Sequence, residues 1–246
     1  MASHHFLRGG AASGFVPAVS REIYDSVCAH IYSTSRSPYI AQRDLLFLDI
    51  AANAGFRRGS IHSLSVDQFD RDALEETEGL TAKLKPAAQK FGYDIDYDVG
   101  TMLMLRVVDF IEGVRAELLA DLGVSERKAE MRVFLSAKTG RQMTDRAMTQ
   151  RISRAMRAVG CAKGQAIHVF RGLYANEQVD DEIVYRLETG LDTSTESIAS
   201  AVAPMLGQKS AKSLFTYIAS KQTRNARQRH VEQRLKPTKV VDPDRS

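Results

Sequence analysis

The segment that follows Pro38 is apolar on nearly every side of a helix, and this constrains the fold more than any other feature of the chain. Its apolar residues are Leu45, Leu46, Leu48, Ile50 and Ala51. A helix with no polar face has to be surrounded by other elements, so this one is predicted to lie in the middle of a core. We expect it to end at Gly55, which would place Arg57 just beyond a helix end.

Other helices are predicted on both sides of this central one. Ser20 is a suitable N-cap for a helix in which Ile23, Val27 and Ile31 recur at helical spacing. Further along, we predict a long amphipathic helix over 101–122 and another that begins at Thr144 and runs to about residue 159. Several short helices are expected after residue 171, and a last one over 224–235.

Between residues 80 and 99 the apolar residues recur at every second position, which is typical of a half-buried strand. Tyr93, Ile95, Tyr97 and Val99 alternate there with three aspartates. The stretch 80–84 is a suitable partner strand, with residues 86–92 as the connecting turn. A short buried segment, 133–135, precedes a turn at 138–140. The fold class is therefore predicted to be α+β, mainly α-helical with a small antiparallel sheet.

The bulk composition is that of an ordinary globular protein and excludes several classes. The chain has 246 residues, 43% of them hydrophobic, and a formal net charge of +4. No apolar stretch is long enough to cross a bilayer, and no signal-peptide pattern is present. The only cysteines, Cys28 and Cys161, are too few for a disulfide framework, which favours the cytoplasm. A pI near 9.1 is compatible with a polyanionic partner.

Four side chains have the chemistry needed to attack a phosphodiester. His168 and Arg171 lie one helical turn apart and can point at one phosphate, and Arg57 adds a second arginine. The planar arginine fork gives two charge-assisted hydrogen bonds to the non-bridging oxygens, where negative charge builds up. Tyr217, which follows the turn 206–208, can supply the nucleophile.

These residues lie in segments that resemble the conserved boxes of tyrosine recombinases, the phage-integrase family. Gly55-Phe56-Arg57 and the later LSVDQFD segment, 64–70, resemble the family's T-G-L-R … L-x-W-x-D-I-D motif. The HVFR segment, 168–171, resembles its H-x-L-R box. The LGQ segment, 206–208, resembles its L-G-H box, with the same nine-residue step from Gln208 to Tyr217. The boxes occur in the family's order over about 20–220, which implies the catalytic-domain fold.

The resemblance implies a role for each site residue. Arg57 and Arg171 would bind the scissile phosphate, and Arg58 is an alternative to Arg57 by register. Tyr217 would form a 3′-phosphotyrosyl link to DNA. His168 would accept the tyrosine proton or donate a hydrogen bond to the phosphate, and Gln208 would donate one. No metal and no cofactor are expected.

The resemblance also implies a lysine in a β-hairpin turn that protonates the leaving 5′ oxygen. Lys90-Phe91-Gly92 resembles the family's K-T-G turn, and Lys90 is therefore assigned the role. Lys83 and Lys85 compete with it, because the register cannot be fixed from one sequence. A hairpin lysine without a function would be a solvated charge at a sheet edge.

Three departures from the family's pattern favour alternative functions. Gln208 stands where the family usually has His or Trp, Gly172 where a second His often follows the arginine, and Ser60 where Glu is common. The stretch from 171 to 208 is also longer than usual, which predicts an insertion near 187–200. The alternatives are a non-catalytic DNA-binding protein that kept the fold and a type IB topoisomerase-like enzyme that relaxes DNA.

The three aspartates of the alternating segment allow a metal-dependent alternative. If Asp94, Asp96 and Asp98 share one face of a strand, their carboxylates can hold Mg²⁺ for a nuclease reaction. The competing interpretation is a solvated polar face of an amphipathic strand. That interpretation is favoured, because metal ligands usually come from separated elements.

The expected organisation is a flexible lead-in over 1–19, the catalytic domain over 20–220 and a basic tail over 221–246. Double-stranded DNA is the expected partner, and a membrane is not. The resemblance further implies a homo-oligomer, a tetramer on DNA, joined through the C-terminal segment. Family members usually have an N-terminal helical domain, so the chain is expected to be either an isolated catalytic domain or a compact member that relies on partners. A nucleoid-associated protein of bacterial or mobile-element origin is expected.

Overall fold

The structure is a computed structural model in which residues 19–89, 92, 94–207, 211–212, 214–215, 218–219 and 221–223 are described. Residues 1–18 of the expected lead-in, the last helix over 224–235 and nearly all of the basic tail lie outside these residues. Val19, which is predicted to belong to the lead-in, is instead buried in the core at 3% exposure. The helices are α1 (Arg21–Thr34), α2 (Pro38–Asn53), α3 (Arg58–His62), α4 (Arg71–Glu75), α5 (Thr101–Phe110), α6 (Ala116–Leu122), α7 (Asp145–Ala158), α8 (His168–Thr189) and α9 (Thr195–Met205). The strands are β1 (Thr81–Leu84) and β2 (Tyr97–Gly100).

Helix α2 lies in the middle of the core, as its sequence predicts. Ser37 caps its N-terminus by accepting a hydrogen bond from the Ile40 amide at 3.3 Å, and Pro38 occupies the first turn. Phe47, Leu48 and Ala51 are fully buried. The polypeptide reverses after α2 at Gly55, whose φ of +65° is a conformation that favours glycine. The predicted end of the helix is therefore confirmed.

Three further sequence predictions are confirmed. Ser20 caps α1, and Thr144 caps α7 by accepting a hydrogen bond from the Ala147 amide at 3.2 Å. The segment 133–135 is buried, with each residue at most 1% exposed. It leads into a turn closed by the Gly140 amide, which donates to the Ser136 carbonyl at 2.9 Å.

The antiparallel sheet is present, but its second strand is shorter than predicted. Pairing runs from Thr81 opposite Gly100 to Leu84 opposite Tyr97, so the residues before Tyr97 are outside the strand. The side chain of Gln89 explains the difference. Its amide donates to the Ile95 carbonyl at 2.7 Å and accepts from the Ile95 amide at 3.3 Å, so a side chain replaces a strand partner there.

The helix predicted over 101–122 is interrupted, and this prediction was wrong in part. A π-helical turn, Ile111–Arg115, separates α5 from α6, and Gly113 within it leaves helical geometry with φ −91° and ψ −112°. Glycine permits this distortion because it has no Cβ. The turn places Arg115 fully inside the protein, where its guanidinium donates to Glu126 at 2.6 Å and to the Arg132 carbonyl at 2.8 Å.

The prediction of several short helices after Arg171 was wrong in part: the short helix α9 is present, but a long helix precedes it. One 22-residue helix, α8, runs from His168 to Thr189 and ends before Gly190, which has a φ of +70°. Its buried residues follow helical spacing throughout: Val169, Phe170, Leu173, Val179 and Ile183. The periodic burial of a single face explains why the helix continues through a polar stretch.

The described apolar side chains form two clusters that share α8. The larger cluster surrounds α2 and includes the first turns of α8, with Phe170 fully buried. The smaller cluster joins the second half of α8 to α9 and to Leu206, Leu214 and Ile218. Among the described helices, none has the length and apolar character needed to span a membrane.

Candidate active site

Arg57 is positioned by the reversal that ends α2. Phe56 is buried against the ring of Tyr97, with 4.6 Å between ring centroids, and Arg57 then occupies the N-cap position of α3. Because Phe56 is fixed in the core, the partly buried side chain of Arg57 is directed away from it. Its Nη1 donates to the Gly207 carbonyl at 3.4 Å. Arg57 is thereby joined to the turn that follows α9, although the two are 150 positions apart in the sequence.

Arg171 reaches the same turn from the first turn of α8. Its Nη2 donates to the Leu206 carbonyl at 2.6 Å, and its Nη1 donates to the Gly55 carbonyl. Burial, followed by the nearby charge of Arg57, lowers the pKa of Arg171 to about 10. Two guanidinium groups that meet at one partly buried turn form a site where an anion is stabilised.

His168 shares a cavity with Arg57. The cavity has a volume of about 590 Å³, and its lining includes Arg57, Arg58, Gln89, Thr149 and His168. The imidazole is exposed and begins the long helix α8, whose N-terminal end favours negative charge. Arg57 therefore shares the Leu206–Gly207 turn with Arg171 and the cavity with His168.

Two tyrosines pack against the glycines that shape this region. A Cβ at Gly55 would overlap the ring of Tyr174, and a Cβ at Gly207, which has a φ of +55°, would overlap the ring of Tyr97. Burial raises the pKa of Tyr174. Tyr97 is 3% exposed, and its hydroxyl has no hydrogen-bond partner among the described residues. The Leu206–Gly207 turn is thus held by packing on one side and by two arginines on the other.

Two of the three candidate lysines are paired with aspartates. Lys83 Nζ lies 2.8 Å from Asp98, and Lys85 Nζ lies 2.5 Å from Asp94. The hydrogen bond that Lys85 donates to Asp94 raises the pKa of Lys85, which makes its ammonium a weaker acid at neutral pH. Lys90 lies outside the described residues, but Gln89, which precedes it, lines the cavity.

The shared strand face proposed for the three aspartates is not formed. Asp94 and Asp96 precede β2, so only Asp98 lies in the strand. Asp94 and Asp98 instead form the lysine pairs. No group of three His, Cys, Asp or Glu residues in the described part of the chain is arranged to hold a metal ion.

Two further candidate residues, Gln208 and Tyr217, also lie outside the described residues. Their neighbours are described: Leu206 is 1% exposed, and Leu214 and Ile218 are buried in the smaller cluster. The segment on either side of Tyr217 is therefore anchored to α8 and α9.

Several residues at the site were not singled out from the sequence. Gln89 and Thr149 line the cavity with Arg58, and Tyr97 and Tyr174 support the two glycine turns. Thr149 lies one helical turn after Asp145, and this spacing was a signal that both face one neighbour. The tyrosine contacts join residues more than 100 positions apart, which no local pattern reveals.

Known structures share this architecture. The crystal structure of XerA recombinase aligns with a TM-score of 0.56 and 15% identity over 90% of this chain and 65% of that one. A post-cleavage complex of XerH site-specific recombinase bound to palindromic difH substrate aligns with a TM-score of 0.55 and 15% identity, over 85% of this chain and 52% of that one. No family model and no curated protein sequence gives a match.

These likenesses define the class of fold. The chain has the fold of a tyrosine-recombinase catalytic domain, mainly helical with a small antiparallel sheet, and that prediction is confirmed. More particularly, it resembles site-specific recombinases of the XerA and XerH kind. The chain spans about half to two thirds of the length of these structures.

Proposed function

We propose that the protein is a site-specific recombinase or integrase that cleaves and rejoins DNA through a 3′-phosphotyrosyl intermediate. The Tyr217 oxygen attacks the scissile phosphorus, and the bond from phosphorus to the 5′ oxygen breaks. His168 accepts the tyrosine proton or donates to the phosphate, and Lys90 gives a proton to the leaving oxygen. The reverse sequence rejoins the strand.

The observation that supports this most is the meeting of Arg57 and Arg171 at one turn. These arginines lie 114 positions apart in the sequence and donate to the adjacent carbonyls of Gly207 and Leu206. The next residue is Gln208, and Tyr217 follows nine positions later. Two fixed cations beside the segment that includes the nucleophile fit the demands of phosphoryl transfer, in which charge builds up on the non-bridging oxygens.

Double-stranded DNA is the proposed partner. The XerH structures contain difH substrate, and this chain has a formal net charge of +4. We further propose that the C-terminal segment 221–246 joins copies of the chain into a tetramer on DNA. Its basic residues are Lys221, Arg224, Arg227, Arg229, Arg234, Lys236, Lys239 and Arg245.

A non-catalytic DNA-binding protein with the same fold is the second candidate. Gln208 and Gly172 favour it, because an amide cannot provide the charge that a histidine does and glycine provides no side chain. Relaxation of supercoiled DNA without recombination is a related alternative, since it needs the same covalent step.

The test is covalent capture on nicked suicide DNA in EDTA, with the reaction resolved on a denaturing gel. We expect a protein–DNA adduct from the unmodified chain and none from Tyr217→Phe, which loses only the attacking oxygen. Tyr185→Phe is the matched control, because Tyr185 is 55% exposed on α8, and it should react normally. DNA binding without an adduct would favour the non-catalytic protein, and cutting that requires Mg²⁺ would contradict the mechanism.

A further inference from the structure

Arg58 lines the same cavity as Arg57 but is tied to a different element. Its Nε lies 3.2 Å from Asp145 Oδ2, and its Nη1 donates to Thr149 Oγ1 at 3.1 Å. Asp145 and Thr149 lie one turn apart on α7 and hold the guanidinium from two directions. Consecutive arginines therefore point to different places: Arg57 to the turn after α9, and Arg58 to the cavity wall formed by α7.

The charge of Asp145 is directed at Arg58 and not at the neighbouring histidine. His62 Nδ1 lies 3.8 Å from Asp145, but it accepts a hydrogen bond from Gln142 Nε2 at 2.9 Å. His62 Nε2 faces the Met143 carbonyl, which can only accept. Among the described lysine and arginine side chains, Arg58 is the one that forms an ion pair with Asp145.

Part of the Arg58 fork remains available. The side chain is 46% exposed, and its Nη2 has no partner in the described part of the chain. An exposed ion pair contributes little to stability, but the two contacts fix the direction of this guanidinium. This guanidinium is fixed in direction, has an N–H group left unpaired by the described residues and lines the same cavity as Arg57 and His168. These are the properties of a phosphate ligand.

We propose that Arg58, oriented by Asp145 and Thr149, binds a DNA phosphate next to the scissile one. This inference rests on the proposed function. Arg57 and Arg171 converge on the turn after α9 and bind the scissile phosphate. The side chain of Arg58 is instead bound to α7, away from that turn. Arg58 thus fixes the register of the strand in the site. Asp145 is a positioning residue that acts through Arg58.

The test is a double-change cycle: the unmodified protein and Arg58→Ala are each measured on native suicide DNA and on suicide DNA in which one phosphate is replaced by a neutral methylphosphonate. The two flanking phosphates are replaced in turn. We expect Arg58→Ala to slow adduct formation on native DNA by about 10- to 100-fold, as for loss of a charge-assisted hydrogen bond. On the DNA that lacks the contacted charge, Arg58→Ala should cause no further loss. Asp145→Asn should give a smaller loss, which disappears on the same modified DNA.

Arg71→Ala is the matched control, because Arg71 is also a partly exposed arginine tied to acidic side chains, Asp109 and Glu112. It should leave the rate unchanged. An Arg58→Ala rate equal to that of the unmodified protein, or a loss of equal size on every modified DNA, would overturn the inference.

Failure of the proposed function would look different, because the unmodified protein would then form no adduct on native DNA. The same cycle measured as binding affinity decides the inference in that case. Arg58→Ala should reduce the slope of log affinity against log salt by about 1, and only on DNA with the contacted phosphate intact. An unchanged slope, or no DNA binding by the unmodified protein, would overturn it.

Discussion

The two halves of the candidate site belong to hydrophobic clusters of different size. Arg57 follows α2, in a cluster with aromatic pairs such as Phe47 with Phe134, whose ring centroids are 5.2 Å apart. The segment on either side of Tyr217 belongs to a cluster with nine buried residues among those described, all of them aliphatic. The groups proposed to bind phosphate are thus set beside the larger core, and the described residues on either side of the proposed nucleophile belong to the smaller cluster.

This difference suggests how the site is controlled. A small cluster opens at lower free energy than a large one, because less apolar area is exposed. The two clusters are joined by α8, by the hydrogen bonds from Arg57 and Arg171 to the Leu206–Gly207 turn, and by the packing of Tyr97 on that turn. We infer that these contacts keep the proposed nucleophile in register with the phosphate-binding residues.

The largest effect is expected from Arg171→Ala, which removes a phosphate ligand and a connection between the clusters. Adduct formation should fall by about 10²–10³-fold, the usual cost of losing one preorganised donor. Arg186→Ala is the matched control on the same helix, since Arg186 pairs with Glu182 at 2.6 Å. Single-turnover rates on suicide DNA provide the measurement. Equal rates for the two variants would contradict the role given to Arg171.

A smaller effect is expected from Gly207→Ala, which tests the packing between the clusters. Gly207 and Gly190 have φ values of +55° and +70°, so an alanine costs about 1–2 kcal/mol of conformational strain at either position. Only at Gly207 does the new Cβ also overlap Tyr97, whereas Gly190 has open space beside it. Displacement of the turn should therefore slow adduct formation by about 10- to 100-fold for Gly207→Ala alone. If Gly207→Ala and Gly190→Ala react at similar rates, the packing of Tyr97 on the Leu206–Gly207 turn does not position Arg57 and Arg171.

The parts of the fold that the sequence predicts are those set by local chemistry. The caps at Ser20 and Thr144 and the reversal at Gly55 each depend on one residue type and its immediate neighbours. Two of the errors arose where side-chain contacts, and not backbone propensity, decide the structure. The Gln89 side chain shortens β2, and burial of one face by two separate clusters keeps α8 continuous.

The same distinction holds at the candidate site. The sequence predicts that Arg57 lies just beyond a helix end and that His168 and Arg171 share a helical turn, because both depend on spacing. It does not predict that Arg171 donates to Leu206 and Gly55, or that Tyr97 packs on Gly207, because those contacts depend on how the clusters meet. The roles of Lys90, Gln208 and Tyr217 remain predictions.

The smallest effect, and the most direct test of the two-cluster comparison, comes from the same substitution made once in each cluster. Ile152 and Ile198 are both fully buried, the first in the larger cluster and the second in the smaller. Changing either to valine removes one methylene and should lower the free energy of unfolding of its own cluster by about 0.5–1.5 kcal/mol. Hydrogen exchange followed by mass spectrometry locates the change.

If the clusters open separately, Ile198→Val should speed exchange in α9 and in the second half of α8 only, because the larger core remains closed when the smaller one opens. It should also slow adduct formation by about 12-fold at most, since a loss of about 0.5–1.5 kcal/mol corresponds to about a 2- to 12-fold change in an equilibrium. Ile152→Val should instead speed exchange in both clusters, because the larger core holds the first turns of α8, the helix on which α9 packs. Identical exchange patterns for the two variants would mean that the protein opens as one cooperative unit, and the smaller cluster would then have no separate control over the proposed nucleophile.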